Sequence, residues 1–391
     1  MTLIVMQPTS GCNINCRYCY VPNRNDYSVM SLDVVRATAR RFVADDQIRA
    51  KGRVRFLWHC GEPLVAGMQF YQNALRIIEE ETSGSIGVEH SIQTNGTLID
   101  DRWCRFFSDT NMKVGLSIDG PQFLHDSSRV NWSGRGTFAH VMRGFERMKS
   151  AGLRVGALCV ITNKHLDYPV ELFDFFLSNG FTSLGLNIEE IENQNTQSSL
   201  LDAEQRLEDH TLEKFRTFSR TLFAEWRKAG NRPKIREFST YLSVLRKRQL
   251  DKSYRKRPDE VAELGIFTVQ RNGDVSTFSP EFAGATSEQY SNFVIGNVQV
   301  HSLSEMLTSR SYKKLRAAVG SHVSACQESC YLFDVCGGSH LSNAYFEAGT
   351  FDQAESNACR LLKKEVSEMF FAELADHGTR PALHATNSSV C

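Results

Sequence analysis

No run of apolar residues in this chain approaches the ~18 needed to cross a bilayer, and the opening Met1–Met6 is too short for the core of a secretion signal. Excess charge of one sign is also missing. Forty-five Lys and Arg balance 45 Asp and Glu, so no global field favours nucleic acid or an anionic membrane as partner. Low-complexity tracts and any repeat of fixed length are absent, and nine prolines with 26 glycines in 391 residues rule out a collagen-like chain. With 41% hydrophobic and 23% charged residues, disorder is excluded as well. These absences leave a globular protein with room for two domains, expected in the cytoplasm, with neither nucleic acid nor membrane as partner.

What the chain does have is cysteine. Eleven thiols without a secretion signal point to metal ligation or catalysis, because a reducing compartment keeps thiols free. Cys12, Cys16 and Cys19 form one group near the start, and Cys326, Cys330 and Cys336, with Cys359 downstream, form another. Cys60, Cys104, Cys159 and Cys391 stand apart, and an isolated buried cysteine usually serves as a small hydrophobe.

Short β-rich runs at Leu3–Met6, Val54–Trp58, Ser91–Gln93, Val114–Ile118, Val155–Ile161 and Leu184–Ile188 are mostly separated by amphipathic stretches. Ser31 is placed to cap a helix carrying Val34, Val35, Thr38, Ala39 and Phe42 on one face. Further helices are expected over Phe70–Glu81, Phe138–Ala151 and Tyr168–Asn179, the last two stopping near Gly152 and Gly180. Six βα units predict an α/β fold with a parallel sheet. Periodicity leaves an open doubly wound sheet and an incomplete barrel as alternatives.

Beyond Ile191 the pattern changes. Leu201–Lys228 and Arg236–Lys256 read as helices rich in Arg and Lys. The basic run from Arg246 through Lys247, Lys252 and Lys256 to Arg257 reads first as a solvated helix face; steering of an acidic peptide is the other reading. Phe267–Gln270 and Val275–Phe278 flank the turn Arg271–Asp274 and predict a β-hairpin. The expected organisation is thus residues 1–200, a helical connector 201–264, a small cysteine-bearing domain 265–376, and a disordered tail 377–391.

The first cysteine group, Cys12-x3-Cys16-x2-Cys19, follows the first strand in a loop at the carboxyl edge of a parallel sheet, where active sites collect. Four thiolates close the ligation of a cubane iron–sulfur cluster, so three leave one iron open to a small chelating molecule. Zinc would need a fourth ligand, and none follows until His59 and Cys60, beyond a long helix. The second group supplies four thiolates, which suit a complete [4Fe–4S] cluster or a closed zinc site equally.

The run Cys12-Asn13-Ile14-Asn15-Cys16-Arg17-Tyr18-Cys19-Tyr20 resembles the signature loop of the radical S-adenosylmethionine (SAM) enzymes. The resemblance implies a partial (β/α)6 TIM-like barrel, a SAM-binding [4Fe–4S] cluster on Cys12, Cys16 and Cys19, and reductive cleavage of SAM to a 5′-deoxyadenosyl radical that takes hydrogen from an unactivated carbon. His59-Cys60-Gly61-Glu62-Pro63 is similar to the family's Gly-Gly-Glu-Pro segment, with Cys60 in place of the first glycine. By that likeness Gly61 and Glu62 hold the amino group of the cofactor, and Tyr18 flanks its adenine. Gln93 and Asn95 at the third strand end and Ser117 and Asp119 at the fourth are implied contacts to ribose and carboxylate, and Arg129 pairs with the carboxylate.

Cys326 through Gly337-Gly338, with Cys359, resembles the SPASM extension of radical enzymes that modify ribosomally made peptides. Typical members carry two auxiliary clusters, but Asp274–Glu281 has no cysteine and His340 stands where another often follows. One auxiliary [4Fe–4S] cluster is therefore expected on Cys326, Cys330, Cys336 and Cys359, giving two clusters in all. The arrangement Trp58-His59-x-Gly-Glu-Pro-Leu64 with Phe278-Ser279-Pro280-Glu281-Phe282 resembles the Grr-type, cyclophane-forming maturases. These join an aromatic ring carbon to the β-carbon of a nearby residue in a precursor peptide. That resemblance implies a precursor peptide as partner, a reducing donor such as flavodoxin or ferredoxin, and a proton acceptor for which Glu281 is a candidate. Thioether formation or sulfatase maturation is the nearest alternative, and a non-catalytic zinc adaptor the more distant one. Only Met1–Gly11 precede the first cysteine, so leader recognition is expected elsewhere or through a partner.

Overall fold

The computed structural model describes residues 1–376; the expected tail 377–391, with Cys391, lies outside the described residues. Six strands open the fold: β1 (Thr2–Met6), β2 (Arg53–Trp58), β3 (Gly87–Thr94), β4 (Lys113–Ser117), β5 (Val155–Ile161) and β6 (Ser183–Ile188). They pair side by side in chain order and all parallel, as six βα units require. Their carboxyl ends therefore lie along one edge of the sheet.

The helices between them form where the apolar spacing places them. Ser31 caps Leu32–Val43, its hydroxyl accepting from the Val34 amide at 3.3 Å, and Val34, Val35, Thr38, Ala39 and Phe42 are buried. Gly180 ends Pro169–Asn179 in the left-handed conformation, at φ 81°. Under the second and third strands Trp58 meets Tyr71 edge-on at 5.2 Å, and Tyr71 meets Trp103 at 5.7 Å. Three helices between these strands, Asp46–Ala50, Asp101–Asp109 and Gln122–Ser128, were not among the expected elements.

The connector helices are shorter than their composition predicts. The first begins at Asp209, because Asp202 accepts from the Arg206 amide at 2.8 Å and folds residues 201–208 into turns. The second ends at Leu250, where Asp251 accepts from the Ser253 amide at 2.8 Å. Between these two helices β7 (Lys234–Ile235) pairs parallel with β6.

The hairpin forms as expected from β8 (Ile266–Val269) and β9 (Asp274–Thr277), and β10 (Gly296–Asn297) adds to β9. Its position was not legible beforehand: β8 pairs parallel with β1. Among the described residues the ten strands make one sheet in the order β10-β9-β8-β1-β2-β3-β4-β5-β6-β7. β7 and β10 are its two edges, so the barrel is partial. Among the described residues no helix is long and apolar enough to cross a membrane.

Candidate active site

The cysteine loop after β1 is held by backbone bonds to its neighbours. The Asn15 amide donates to Val130 O at 2.7 Å, Arg17 to Ser128 O at 3.0 Å and Cys12 to Arg24 O at 2.9 Å. Trp132 Nε1 donates to Cys12 O at 2.8 Å, and Arg24 Nη1 to Cys16 O at 3.2 Å. Burial pushes the Cys16 thiol up to about 12 and Cys12 higher, so both carry protons in the absence of a cation. A bound metal would reverse that preference.

Beside this loop runs the turn after β2. Cys60 has φ 68°, the left-handed region that suits glycine, and its thiol lies 3.7 Å from the Tyr20 hydroxyl. Gly61 has φ 113°, and a Cβ there would sit 2.3 Å from Thr9 O, so only glycine lets the turn touch the cysteine loop. Glu62 is buried and accepts from the Leu64 amide at 3.0 Å, Thr94 Oγ1 at 2.7 Å and the Asn95 amide at 2.7 Å. Burial still dominates these bonds and raises its carboxyl to about 7.

The third and fourth strand ends complete the wall. Asn95 Nδ2 donates to Asn13 Oδ1 at 2.8 Å and lies 3.8 Å from Cys12 Sγ. Gln93 Nε2 donates to Ser117 Oγ at 2.8 Å. Arg129 Nη1 reaches to 3.9 Å from Cys16 Sγ, and its guanidinium lies 5.4 Å from the centre of the Tyr18 ring.

Tyr18, Gly61, Glu62, Gln93, Asn95, Ser117 and Arg129 line one cavity of about 170 Å³ together with Cys12, Cys16, Cys19 and Glu281. Asp119 does not line it. Its carboxylate lies behind Arg129, 3.0 Å from Nε, accepts from the Val160 amide at 3.0 Å and bonds the Tyr18 hydroxyl. Burial opposes its charge, but Arg129 and the other donors outweigh that and hold it below the usual carboxylate range. Asp119 thus positions two residues of the wall.

Glu189, Glu190 and Glu192, none of them anticipated, line this cavity with Glu62 and Glu281. A second cavity of about 370 Å³ shares Glu190, Glu192 and Glu281 with the first and extends to Cys336 and His340. Burial, then the charge of Glu281, raises Glu190 to about 8 and holds Glu192 well above the usual carboxylate range, and burial raises Glu281 as well. Ser342 Oγ donates to Glu192 at 2.7 Å and Ser279 donates to Glu281. The signal that would have found Glu190 and Glu192 is their place just past the sixth strand end.

The carboxyl-terminal thiols gather as a set. Cys326 lies in the last turn of Arg310–Ser329 with Cys330 next to it, while Cys336 and Cys359 end the short helices Phe333–Cys336 and Asn357–Cys359. Burial raises Cys326 to about 12, followed by the nearness of Cys336 and Cys330; Cys359 is raised by burial and then by the other three. Among the described residues no three Cys, His, Asp or Glu side chains converge closely enough to hold one metal ion.

Residues 6–176 match the family model described as the Radical SAM superfamily. The chain belongs to that superfamily. Family membership implies a [4Fe–4S] cluster and SAM, and makes the protein an enzyme. An uncharacterized protein of Synechocystis is 33% identical to this radical SAM enzyme over 379 residues, covering 96% of this chain and 92% of its own. The serine-type anaerobic sulfatase-maturating enzyme of Bacteroides thetaiotaomicron is 34% identical over 177 residues, 44% of this chain and 42% of that protein. The cysteine-type enzyme of Clostridium perfringens is 29% identical over 254 residues, 63% and 66% of the two chains. In fold, anSMEcpe with bound AdoMet superposes with a TM-score of 0.75 at 24% identity, over 96% of this chain and 98% of that one. Streptococcus suis SuiB bound to precursor peptide SuiA gives 0.63 at 16% identity, over 92% and 76%.

Proposed function

We propose that this radical SAM enzyme modifies a ribosomally synthesised precursor peptide, joining an aromatic ring carbon to the β-carbon of a nearby residue. Cys12, Cys16 and Cys19 hold the SAM-binding cluster. The donor set fits: three thiols of one loop stand on the cavity wall and no fourth cysteine lines it, which leaves one iron for the cofactor. Cys326, Cys330, Cys336 and Cys359 hold one auxiliary cluster. When bound, SAM on a reduced cluster supplies a carbon-centred radical that takes a hydrogen atom, and the auxiliary cluster supplies an electron acceptor.

The residues of this chain do the rest. Gly61, Glu62, Gln93, Asn95, Ser117 and Arg129 bind and orient the cofactor, with Tyr18 against its adenine and Asp119 fixing Arg129. Forming the crosslink removes two hydrogens from the peptide, one as an atom and one as a proton with its electron. Glu281 receives the proton. The single observation that carries this reading is the place of Glu281 on the wall common to the cofactor cavity and the chamber that reaches Cys336. A reducing donor such as flavodoxin or ferredoxin supplies the first electron.

The sulfatase-maturating relatives favour a second reading, oxidation of a sulfatase active-site Ser or Cys to an aldehyde. One experiment separates the two. The anaerobically reconstituted enzyme is incubated with reductant, SAM, and either peptides encoded beside its gene or sulfatase-derived peptides, and the products are sequenced by mass spectrometry. A crosslinked peptide lighter by two hydrogens with its thiols free supports the cyclophane. A hydrazide-reactive aldehyde on the sulfatase peptide supports maturation, and consumption of a cysteine thiol supports a thioether.

A further inference from the structure

The interior of the barrel holds a third cavity, of about 870 Å³, at the amino-terminal ends of the strands. Seven cations line it and no Asp or Glu does. Arg55 and Lys113 already share Glu89, at 2.9 and 2.8 Å, and Arg236 pairs with Glu237. Arg154, Lys234 and Lys247 make no ion pair among the described residues, whereas Lys256 also faces the charges of Glu260 and Asp259. In a chain whose total charge is balanced, this is a local excess of uncompensated positive charge in a concave site.

The cavity is also placed to matter for the reaction. Gln93 and Leu158 line both it and the cofactor cavity, and Arg236 and Lys256 line both it and the glutamate chamber. β4 runs from Lys113, on the basic cavity, to Ser117, on the cofactor cavity, and spans about four residues of extended chain, roughly 13 Å.

We infer that this basic cavity binds an acidic segment of the substrate peptide, about four or more residues from the position that reacts. The inference rests on the peptide-maturase reading for what lies beyond the segment, but the charge match stands on the cavity alone. Arg154, Lys234 and Lys247 contribute long cationic side chains at the mouth, and Lys256 lies deeper. Lys247 and Lys256 belong to the basic run that the sequence leaves divided between a solvated face and an acid-steering surface; the fold points both into the cavity.

The test uses the reconstituted full chain, fluorescein-labelled octaglutamate as probe, and the triple variant Arg154→Glu, Lys234→Glu, Lys247→Glu. The parent should bind octaglutamate with an affinity that falls as salt rises. The variant should bind it at least about tenfold more weakly and gain affinity for octalysine, a positive readout that an unfolded variant does not give. No binding by the parent, or a loss smaller than tenfold, overturns the inference. So does tighter binding of a twelve-nucleotide oligothymidylate than of octaglutamate, or displacement of the probe by equimolar inorganic phosphate. Formation of 5′-deoxyadenosine by the parent is scored separately. Its absence would remove the radical-maturase reading and leave the binding result intact, whereas loss of binding with SAM cleavage intact counts against the acidic-segment inference alone.

Discussion

Asp119 and Arg129 meet at 3.0 Å with both side chains almost wholly shielded from water, directly behind the cofactor cavity. The Arg129 Nε–H is not aimed along the contact, so the attraction is chiefly one of charge. Removing one member of such a pair leaves the other buried without compensation. Asp119→Ala should cost about 3–5 kcal/mol in urea unfolding, and Arg129→Lys, which keeps the charge but loses the planar fork, should weaken SAM binding with a smaller loss of stability.

The turn after β2 admits no side chain at Gly61. Gly61→Ala should destabilise the fold by about 3 kcal/mol or more and abolish SAM binding, because the clash is with the backbone of the cysteine loop. Gly152→Ala shares a positive φ, 73°, but has nothing within 4 Å of the added carbon. It should cost only about 1 kcal/mol, and thermal unfolding of the two variants separates steric contact from backbone strain.

Acid should unfold the protein through its buried histidines. His125 is fully buried, accepts from the Asp119 amide at 3.3 Å and bonds Thr137 Oγ1 at 3.0 Å, and burial lowers it to about 4. Above ~6.5 neither folded nor unfolded chain binds this proton; below ~6.5 the unfolded chain takes it first. Its contribution is therefore complete above ~6.5 and is lost progressively as pH falls towards 4, by at most ~3 kcal/mol. Unfolding measured across that window should show a shallower slope in His125→Gln.

Iron content divides the two cysteine groups. Anaerobic reconstitution should give about eight irons per chain, and Cys12→Ala, Cys16→Ala, Cys19→Ala together should leave about four. Replacing Cys326, Cys330, Cys336 and Cys359 should also leave about four. Full retention of iron by the first variant would remove the assignment of the open cluster.

Glu281→Gln should lower crosslink formation by about 10²-fold or more, measured in a single turnover, because the amide takes no proton. With the carboxyl raised by burial, the parent's rate should climb with pH through that raised value, and the variant's residual rate should not follow the same curve.

Much of the radical half was legible in the sequence because its signals are local. β5 occupies Val155–Ile161 as its β-rich run predicts, and seven of the eight expected cofactor contacts line one cavity because consecutive strand ends of a parallel sheet are neighbours. Asp119 was misplaced because an aspartate at a strand end faces either the ligand or the residue beside it, and the partner that decides, Arg129, is ten positions away. Glu190 and Glu192 carry no motif; their meeting with Glu281 depends on how distant segments return to the barrel. The same holds for the basic cavity, whose cations come from three strands, one helix and two connecting segments.

The pairing of β8 with β1 has a mechanical consequence. β1 launches the first cysteine group and is a central strand only because a segment more than 260 positions later lies along it. Cutting the chain before β8 would turn β1 into an exposed edge with unpaired amides and carbonyls, inviting association with other chains. The carboxyl-terminal part thus behaves as a splint for the radical-generating loop, and the two metal-binding groups should melt together as one cooperative unit rather than in sequence.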